Sequence, residues 1–260
     1  MPSNPAPPLR SFPVDALAVC VFASLEDLAQ AAAAEAQRFL VATLQVQSDA
    51  RVILASAASQ VRFLEVLTAL PGLDWSRVTL FHMDEYLGLP ADHPASFRRF
   101  LQRHVANRVQ PRACHELAGD ATDPHAECAR YARLLSQRPV DLCCLGIGEN
   151  GHLAFNDPPV ADFADPLAVK IVTLDEACRR QQVGEGAFPT LAAVPTQALT
   201  LTIPALCAAR RMLCVVPERR KAQAVRDALC GPISPACPAS VLRRQTHCTL
   251  FLDADSAALL

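Results

Sequence analysis

Residues 145–159, with the sequence LGIGENGHLAFNDPP, place a histidine, an asparagine and an aspartate directly after a glycine-rich stretch. The glycines at 146–151 follow the GxGxxG spacing of a dinucleotide-binding loop. In such a loop a helix begins at the third glycine, because its free amide groups bind the pyrophosphate. Pro158 and Pro159 soon end any helix here, since proline lacks the amide donor. The spacing is therefore weak evidence for a dinucleotide, even though Asp175 supplies an acidic residue further along the chain.

A second interpretation of the same stretch is a sharp turn that presents a catalytic histidine. Gly148 and Gly151 would let the backbone turn and expose His152, with Asn156 and Asp157 close enough to orient the imidazole. A carboxylate bound to one ring nitrogen fixes the tautomer and makes the other nitrogen a better base. The competing interpretation is a surface histidine beside an Asn-Asp-Pro turn. This motif alone does not decide between the two.

Two adjacent carboxylates, Asp84 and Glu85, follow the apolar run VTLFHM. A carboxylate beside a closed pocket can act as a general base and carry a proton between neighbouring carbons. The usual alternative is a turn or a helix cap. Adjacent side chains in an extended backbone point to opposite sides, so at most one of the pair faces a substrate and the other is structural.

Short apolar runs alternate with helical patterns along most of the chain. The predicted strands are 17–24, 51–56, 77–83, 140–148, 169–174, 198–203, 211–217 and 248–253. The predicted helices are 25–46, which Ser24 and Asp27 open, and 59–70, 96–105, 124–136 and 219–229. Continuous apolar strands separated by helices indicate an α/β fold, a three-layer α/β/α Rossmann-like domain with a mostly parallel sheet. We predict a single domain over residues 15–260, after a proline-rich extension over residues 1–14.

The polar residues that follow these strands gather at one edge of the predicted sheet. In an open parallel sheet, ligands bind beyond the carboxyl ends of the strands, near the point where strand order reverses. Residues 56–59 follow the second strand, Asp84 the third, His152 the fourth, and the basic residues 219–221 the seventh. The sequence therefore predicts one site at this edge, assembled from distant segments.

Taken together, these segments resemble a known family. HMDEYLGLPADHPASFRRFL (82–101), LGIGENGHLAFNDPP (145–159) and VPTQALTLTIPAL (194–206) are similar to segments of the glucosamine-6-phosphate deaminase/isomerase family. The related 6-phosphogluconolactonases share the fold. The resemblance implies a cofactor-free enzyme that acts on an amino-sugar phosphate. It would open the hexose ring, move a proton between C2 and C1, and release ammonia to leave a ketose phosphate.

The resemblance also implies roles for individual residues. Asp84 falls on the aspartate that transfers the proton, His152 on the ring-opening histidine, and Asp157 on the acidic residue that supports it. Asn150 stands where well-studied members carry an aspartate. An amide can orient the imidazole but cannot neutralise the imidazolium. Lys221 matches the lysine that binds the substrate phosphate.

The segments that would bind phosphate depart from the family pattern. The loop ASAAS, residues 55–59, lacks the family's glycine, so amides and serine hydroxyls would form the anion site. An expected arginine aligns with Gln182, and Arg179 or Arg180 would substitute for it. The residues predicted to bind the substrate or its phosphate are Ser56, Ala58, Ser59, Glu85, Gly148, Gly151, Arg179 and Lys221. Asp84, Asn150, His152 and Asp157 form the predicted catalytic set.

Composition narrows the function classes. The 260 residues carry a net charge of −2 and no extended Lys/Arg-rich run, so nucleic acid is not an expected partner. The 11 cysteines lie largely in apolar runs without CxxC spacing, which argues against a metal or redox site and favours a reducing compartment. No apolar run approaches the ~20 residues that cross a bilayer. We predict a soluble cytoplasmic protein with a small-molecule partner and no metal or cofactor.

Three functions stay open on the sequence: an amino-sugar phosphate deaminase, a 6-phosphogluconolactonase-type hydrolase, and a non-catalytic sugar-phosphate sensor. The segment HLAFND favours the deaminase over the lactonase. No helix-turn-helix segment is evident, which argues against the sensor. A homo-oligomer also stays open, because relatives are often oligomeric while no residue pattern here marks an interface.

Overall fold

In the computed structural model, which describes residues 5–260, the strands form one sheet of eight and one of three. The strands are β1 Arg10–Val14, β2 Leu17–Phe22, β3 Ala50–Leu54, β4 Val78–His82, β5 Asp84–Tyr86, β6 Ala113–His115, β7 Leu142–Leu145, β8 Val169–Thr173, β9 Gln197–Leu201, β10 Arg211–Val216 and β11 Cys248–Asp253. The α-helices are α1 Leu25–Val46, α2 Val61–Ala69, α3 Phe97–Leu101, α4 Asn107–Val109, α5 Pro124–Ser136, α6 Glu176–Gly184, α7 Ile203–Cys207 and α8 Ala222–Cys230. A π-helical turn, Gln102–Ala106, joins α3 to α4.

The large sheet has helices on both faces, as the continuous apolar strands predicted. Its order is β1-β2-β11-β10-β7-β3-β4-β6, and every neighbouring pair except β1 and β2 is parallel. Val52 and Leu54 of β3 pack with α1 and α2, whereas Ile53 between them packs with α5 and α8. Successive side chains of a strand point to opposite faces, so a strand covered on both sides is apolar throughout. The predicted α/β class is confirmed.

The helix starts follow from capping residues that the sequence shows. The Ser24 side chain accepts a hydrogen bond from the Asp27 amide, so α1 begins at Leu25 as predicted. Asp123 accepts hydrogen bonds from the first amides of α5, and Pro124 occupies the first helical position, where its missing N–H leaves no donor unpaired.

The segment predicted as an N-terminal extension contains one edge strand of the large sheet. Arg10–Val14 pairs antiparallel with β2, so the sheet begins before residue 15. Asp15 makes the connecting turn with φ +52°. The first four residues of the predicted extension lie outside the described residues.

The small sheet is separate from the mostly parallel sheet that the sequence predicted. Its order is β5-β9-β8, and both pairs are antiparallel. The chain passes almost directly from β4 into β5, and the Leu201 amide donates a hydrogen bond to the Met83 carbonyl where the sheets meet. An apolar run marks a strand but carries no information about its partner, which is why the sequence pattern missed this sheet.

The strand order reverses between β3 and β7, which are neighbours in the large sheet. From β3 the chain continues outward to β4, while β10, β11 and β2 lie on the other side of β7. The loops that follow β3 and β7 therefore flank the crevice where ligands bind in sheets of this kind.

None of the helices between residues 5 and 260 is long and apolar enough to cross a membrane.

Candidate active site

A cavity of about 280 Å³ lies beyond the carboxyl ends of β3, β4, β7 and β10. It brings together most of the predicted site residues, although these lie far apart along the chain. The predicted residues that line it are Ser56, Ala58, Ser59, Asp84, Gly148, His152 and Lys221, together with Gln182. The expectation that the strand ends converge on one site is met by this geometry.

The glycines of the 146–151 stretch have a packing role. A Cβ on Gly148 would lie 2.2 Å from the His152 ring, so only glycine lets the imidazole lie against the backbone at this point. Gly151 has φ +82°, and a Cβ there would lie 2.8 Å from the Cys237 sulfur. Gly151 shapes the turn but does not line the cavity, contrary to its predicted substrate contact. No helix follows until α6 begins at Glu176, so the dinucleotide interpretation fails.

His152 is held through one ring nitrogen. Its Nδ1 lies 2.7 Å from Asn150 Oδ1 and 3.0 Å from Asp157 Oδ1. The Asn150 amide nitrogen donates to the same carboxylate oxygen at 3.0 Å, which orients its carbonyl towards the histidine. With two oxygen acceptors around it, Nδ1 carries the proton of the neutral ring and leaves Nε2 as the base on the cavity side.

Asp157 is fully buried, yet the contacts around it favour its charged form. Burial acts to raise the pKa of this carboxyl, but the hydrogen bond and charge of His152 and the amide of Asn150 outweigh burial and hold the pKa below its usual range. The Asp175 amide adds a weaker hydrogen bond at 3.3 Å from the start of α6. The carboxylate therefore fixes the imidazole and can stabilise its protonated form.

Asp84 and Glu85 point to opposite sides of β5, as their adjacency predicted. Asp84 lines the cavity and is 7% exposed. Burial and the neighbouring Glu85 carboxylate raise the pKa of Asp84 well above its usual value. A carboxyl group in that environment is suited to exchange protons with a substrate near neutral pH.

Glu85 was predicted to bind substrate, and its position corrects that prediction. Its side chain is buried outside the cavity, where it accepts hydrogen bonds from Ser96 Oγ at 2.7 Å and from the Phe97 and Arg98 amides at 3.2 and 3.0 Å. These donors stand at the start of α3, so Glu85 joins β5 to that helix. Residues 94–97, whose position Glu85 controls, form one wall of the cavity.

The opposite end of the cavity is suited to an anion. Lys221 lines this end of the cavity and is only 3% exposed. Burial lowers the pKa of its ammonium group, although the charge of Glu185 acts to raise that pKa. The Ser56 hydroxyl is buried without a hydrogen-bond partner in residues 5–260. The chain then enters a 3₁₀ turn and α2, whose first amides have no partners within the helix. A cation, a free hydroxyl and helix amides together match the needs of a phosphate group.

The backbone that presents Lys221 depends on a residue that the sequence analysis missed. Glu218 has φ +82°, a conformation that costs energy for a residue with a side chain. Both carboxylate oxygens of Asp253, at the end of β11, accept hydrogen bonds from the Glu218 amide, at 3.1 and 3.3 Å. Because Asp253 is 35 positions away in sequence, no local pattern indicates this contact.

The predicted substitute arginines do not reach the cavity. Arg179 donates from Nη2 to the carbonyls of Leu191 and Val194, at 2.7 and 2.9 Å. Arg180 forms an exposed ion pair with Glu176 one turn earlier in α6. Neither guanidinium lines the cavity, so their predicted phosphate contact is not supported by the geometry.

The cavity also contains residues that the sequence analysis did not single out. Gln60 is buried and donates from Nε2 to the Val215 carbonyl at 2.9 Å, bridging the start of α2 and β10. Glu185 lines the cavity beyond α6 and pairs with Arg220 at 3.1 Å. Nothing in the residue types near these positions distinguishes them from ordinary surface or core residues.

Comparison with known proteins agrees with the resemblance in the motifs. The family of glucosamine-6-phosphate isomerases/6-phosphogluconolactonase matches residues 23–251. A glucosamine-6-phosphate deaminase of Exiguobacterium sibiricum is 38% identical over 188 residues, covering 72% of this chain and 73% of the relative. One from Pseudarthrobacter chlorophenolicus is 36% identical over 222 residues, or 84% of each chain.

Solved structures of the same family have the same fold as this chain. A monomeric glucosamine-6-phosphate deaminase has a TM-score of 0.84 at 32% identity and covers 93% of this chain and 99% of its own. A 6-phosphogluconolactonase from Shewanella baltica has a TM-score of 0.75 at 20% identity, covering 91% and 97%, and shares the fold. With a family match over nearly the whole sequence and deaminase relatives well above 30% identity, this chain belongs to the family of glucosamine-6-phosphate isomerases/6-phosphogluconolactonase.

Proposed function

We propose that this protein is a glucosamine-6-phosphate deaminase, which converts an amino-sugar phosphate and water to a ketose phosphate and ammonia. The observation that carries the proposal is the convergence of three groups on one cavity: the buried carboxyl of Asp84, the imidazole of His152, and the ammonium of Lys221. The deaminase relatives, at 32–38% identity, support this branch of the family over the lactonase, at 20%.

His152 is assigned to ring opening. The unprotonated Nε2 accepts the proton of the C1 hydroxyl, and the same nitrogen returns a proton to the ring oxygen as the C1–O5 bond breaks. Asp157 stabilises the imidazolium between these two transfers, and Asn150 keeps the ring in the required orientation. The products of this step are the open-chain aldehyde and a neutral imidazole.

Asp84 is assigned to isomerisation. Its carboxylate removes the proton from C2 of the open chain and returns it to C1, while one proton of the amino group passes to the C1 oxygen. The aldehyde thereby becomes a hydroxymethyl group and the amine at C2 becomes an imine. Water adds to this imine, and the C–N bond breaks to release ammonia and leave the ketone. A carboxyl with a raised pKa gains basicity for the first transfer and still gives up its proton in the second.

The phosphate is assigned to the cavity end formed by Lys221, Ser56 and the start of α2. This placement uses the buried cation and the unpartnered hydroxyl. It also explains how the loop at residues 55–59 serves without glycine, since backbone amides and short side chains are sufficient donors for an anion. Gln182 contributes an uncharged wall where the family pattern suggests an arginine.

The first test of the proposal is an assay of ammonia and ketose phosphate from a panel of amino-sugar phosphates. Turnover of glucosamine 6-phosphate is expected. Folded protein that releases no ammonia from any member of the panel, or that hydrolyses 6-phosphogluconolactone instead, would contradict the proposal.

A charge-neutral variant at the anion end tests the placement of the phosphate. Lys221→Met is expected to raise KM about 10- to 100-fold, the loss of one or two charge-assisted hydrogen bonds. Arg219→Met is the matched control, because Arg219 lies in the same turn but is exposed and does not line the cavity. An equal change of KM in both variants would place the phosphate elsewhere.

A further inference from the structure

A second set of ligands lies behind the histidine, on the side away from the reacting sugar. A ring nitrogen of His152, a carboxylate oxygen of Asp157 and the sulfur of Cys178 all lie within 4.8 Å of one another, and Nδ1 is the ring nitrogen that contacts Asp157. All three residues are buried. Cys178 stands in the first turn of α6. We call these three residues the His-Asp-Cys cluster.

We propose that the His-Asp-Cys cluster is an inhibitory zinc site, at which Zn²⁺ binds Nδ1 of His152, the carboxylate of Asp157 and the thiolate of Cys178. These are the three ligand types that zinc takes in proteins, and a water molecule would be the fourth ligand of a tetrahedral set. Tetrahedral bonds of about 2.1 to 2.3 Å require ligand atoms about 3.5 Å apart, a spacing within the 4.8 Å that encloses the cluster, and the 3.0 Å between His152 Nδ1 and the Asp157 oxygen must widen when zinc binds.

Charge balance favours zinc in this buried position. A cysteine thiol has an ordinary pKa of about 8.5, so without a metal Cys178 is protonated at neutral pH. Zinc replaces the thiol proton, and the charges of the metal, thiolate and carboxylate then sum to zero. A neutral complex avoids the desolvation penalty of an isolated buried charge.

Zinc binding at this cluster also releases a proton, and the number of protons released per zinc can be measured. The thiol loses one proton to solvent as the Zn–S bond forms. The proton on Nδ1 moves to Nε2 of the same ring, since the metal now occupies the Nδ1 lone pair. The net release is therefore one proton per zinc, and all of it comes from Cys178.

Access and inhibition both follow from the position of His152. Its ring separates the cluster from the cavity, so zinc enters through the substrate site. Once Nε2 carries the proton, the ring can no longer accept the proton of the C1 hydroxyl, although the anion end around Lys221 stays intact. Zinc is then expected to lower kcat with little change in KM, a pattern that a metal bound at the phosphate end would not produce.

The experiment uses the full chain with chelator-buffered Zn²⁺, and with Co²⁺ as a spectroscopic probe. One zinc per chain, one proton released per zinc, and a thiolate-to-cobalt charge-transfer band are expected. Cys178→Ser keeps a small hydroxyl donor beside Asp157 and removes the soft ligand. It is expected to weaken zinc binding at least about tenfold, to abolish the band and to release no proton.

The matched control is Cys230→Ser, because Cys230 is the exposed cysteine of the chain and the obvious adventitious thiol. Its zinc affinity and cobalt spectrum are expected to equal those of the unsubstituted protein. Equal zinc affinity in Cys178→Ser, or a cobalt complex of the unsubstituted protein without the thiolate band, would overturn the inference. If Cys178→Ser does not fold, the cobalt spectrum of Cys230→Ser decides alone. These binding measurements do not depend on turnover, so their failure is distinct from failure of the proposed deaminase activity.

Discussion

Asp84 shows how a group in the candidate site can oppose the stability of the fold. The raised pKa of its carboxyl means that the folded protein holds the proton more tightly than the unfolded chain. The stabilising contribution is complete below the unfolded pKa of about 3.9 and is lost as the pH rises through the higher folded pKa. At neutral to alkaline pH, the folded state is therefore less stable with Asp84 ionised than it is at low pH with Asp84 protonated.

The variant Asp84→Asn separates these two effects. Its kcat is expected to fall about 10²- to 10⁴-fold, because the proton carrier is lost. Its Tm at pH 8 is expected to exceed that of the unsubstituted protein, since no charge has to be buried, and the difference should disappear near pH 4. Thermal unfolding across this pH range checks the second expectation, and a lower Tm at pH 8 would contradict the burial argument.

Position 148 must lack a side chain for the His152 ring to take its place in the site. Gly148→Ala is expected to push the His152 ring away from its position and to lower kcat by at least about 10²-fold, the usual contribution of a placed acid or base. Gly184→Ala is the control, since a Cβ at Gly184 has nothing within 4 Å and alanine is the better helix former. Steady-state kinetics of the two variants provide the comparison, and similar kcat values would show that the ring tolerates the methyl group.

At the scale of elements, the contact between β5 and α3 organises one wall of the cavity. Glu85 is fully buried and accepts hydrogen bonds from Ser96, Phe97 and Arg98, and its carboxylate also lies 3.4 Å from the Arg98 guanidinium. Removing the Glu85 carboxylate would leave several buried donors unpaired, and each unpaired donor lowers the free energy of unfolding by about 1–3 kcal/mol.

Glu85→Ala is accordingly expected to lower the free energy of unfolding by about 3 kcal/mol, and to raise KM because residues 94–97 lose their anchor. Glu176→Ala removes a glutamate from the start of another helix, where its pair with Arg180 is exposed, and should cost less than about 1 kcal/mol. Denaturant unfolding measures both values. A small effect at Glu85 would mean that α3 is held by its apolar packing instead.

Element boundaries and element partners differ in how far sequence can predict them. Helix α1 was predicted to begin at Leu25 because Ser24 caps it locally, and the structure agrees. Strands β8 and β9 were recognised as strands, but their antiparallel pairing in a separate sheet was not predicted. Capping is decided within four residues, whereas strand pairing depends on where the chain returns after long connections.

At the scale of the whole molecule, the burial of the cysteines shows how tightly the helices and sheets are packed. All eleven are free, and only Cys230 is exposed. Burial raises the pKa of the Cys114, Cys128 and Cys207 thiols to about 12, 11 and 11, so little thiolate is present at neutral pH. Their number reflects use as small apolar residues in both helix–sheet layers.

Titration with a thiol reagent is therefore expected to give one fast-reacting group per native chain and eleven after unfolding. Cys230→Ser should remove the fast phase with little change in Tm, since Cys230 is exposed. Several fast-reacting thiols in the native protein would show that the layers open more readily than their packing indicates. The predicted cytoplasmic location and homo-oligomer remain predictions.

The sequence by itself determined the layered fold and indicated candidates for the reacting groups. Apolar runs and capping residues act over short stretches, and the resemblance of two motifs to a known family singled out Asp84, His152 and Asp157. Tertiary structure alone decided which neighbours face the cavity: Glu85, Gly151 and Arg179 point elsewhere, while Gln60 and Glu185 line it. It also decided that Cys178 lies close to His152 and Asp157, and that Asp253 supports the turn before Lys221. The physical reason is distance along the chain, because contacts between remote segments depend on the packed sheet and leave no local pattern in the sequence.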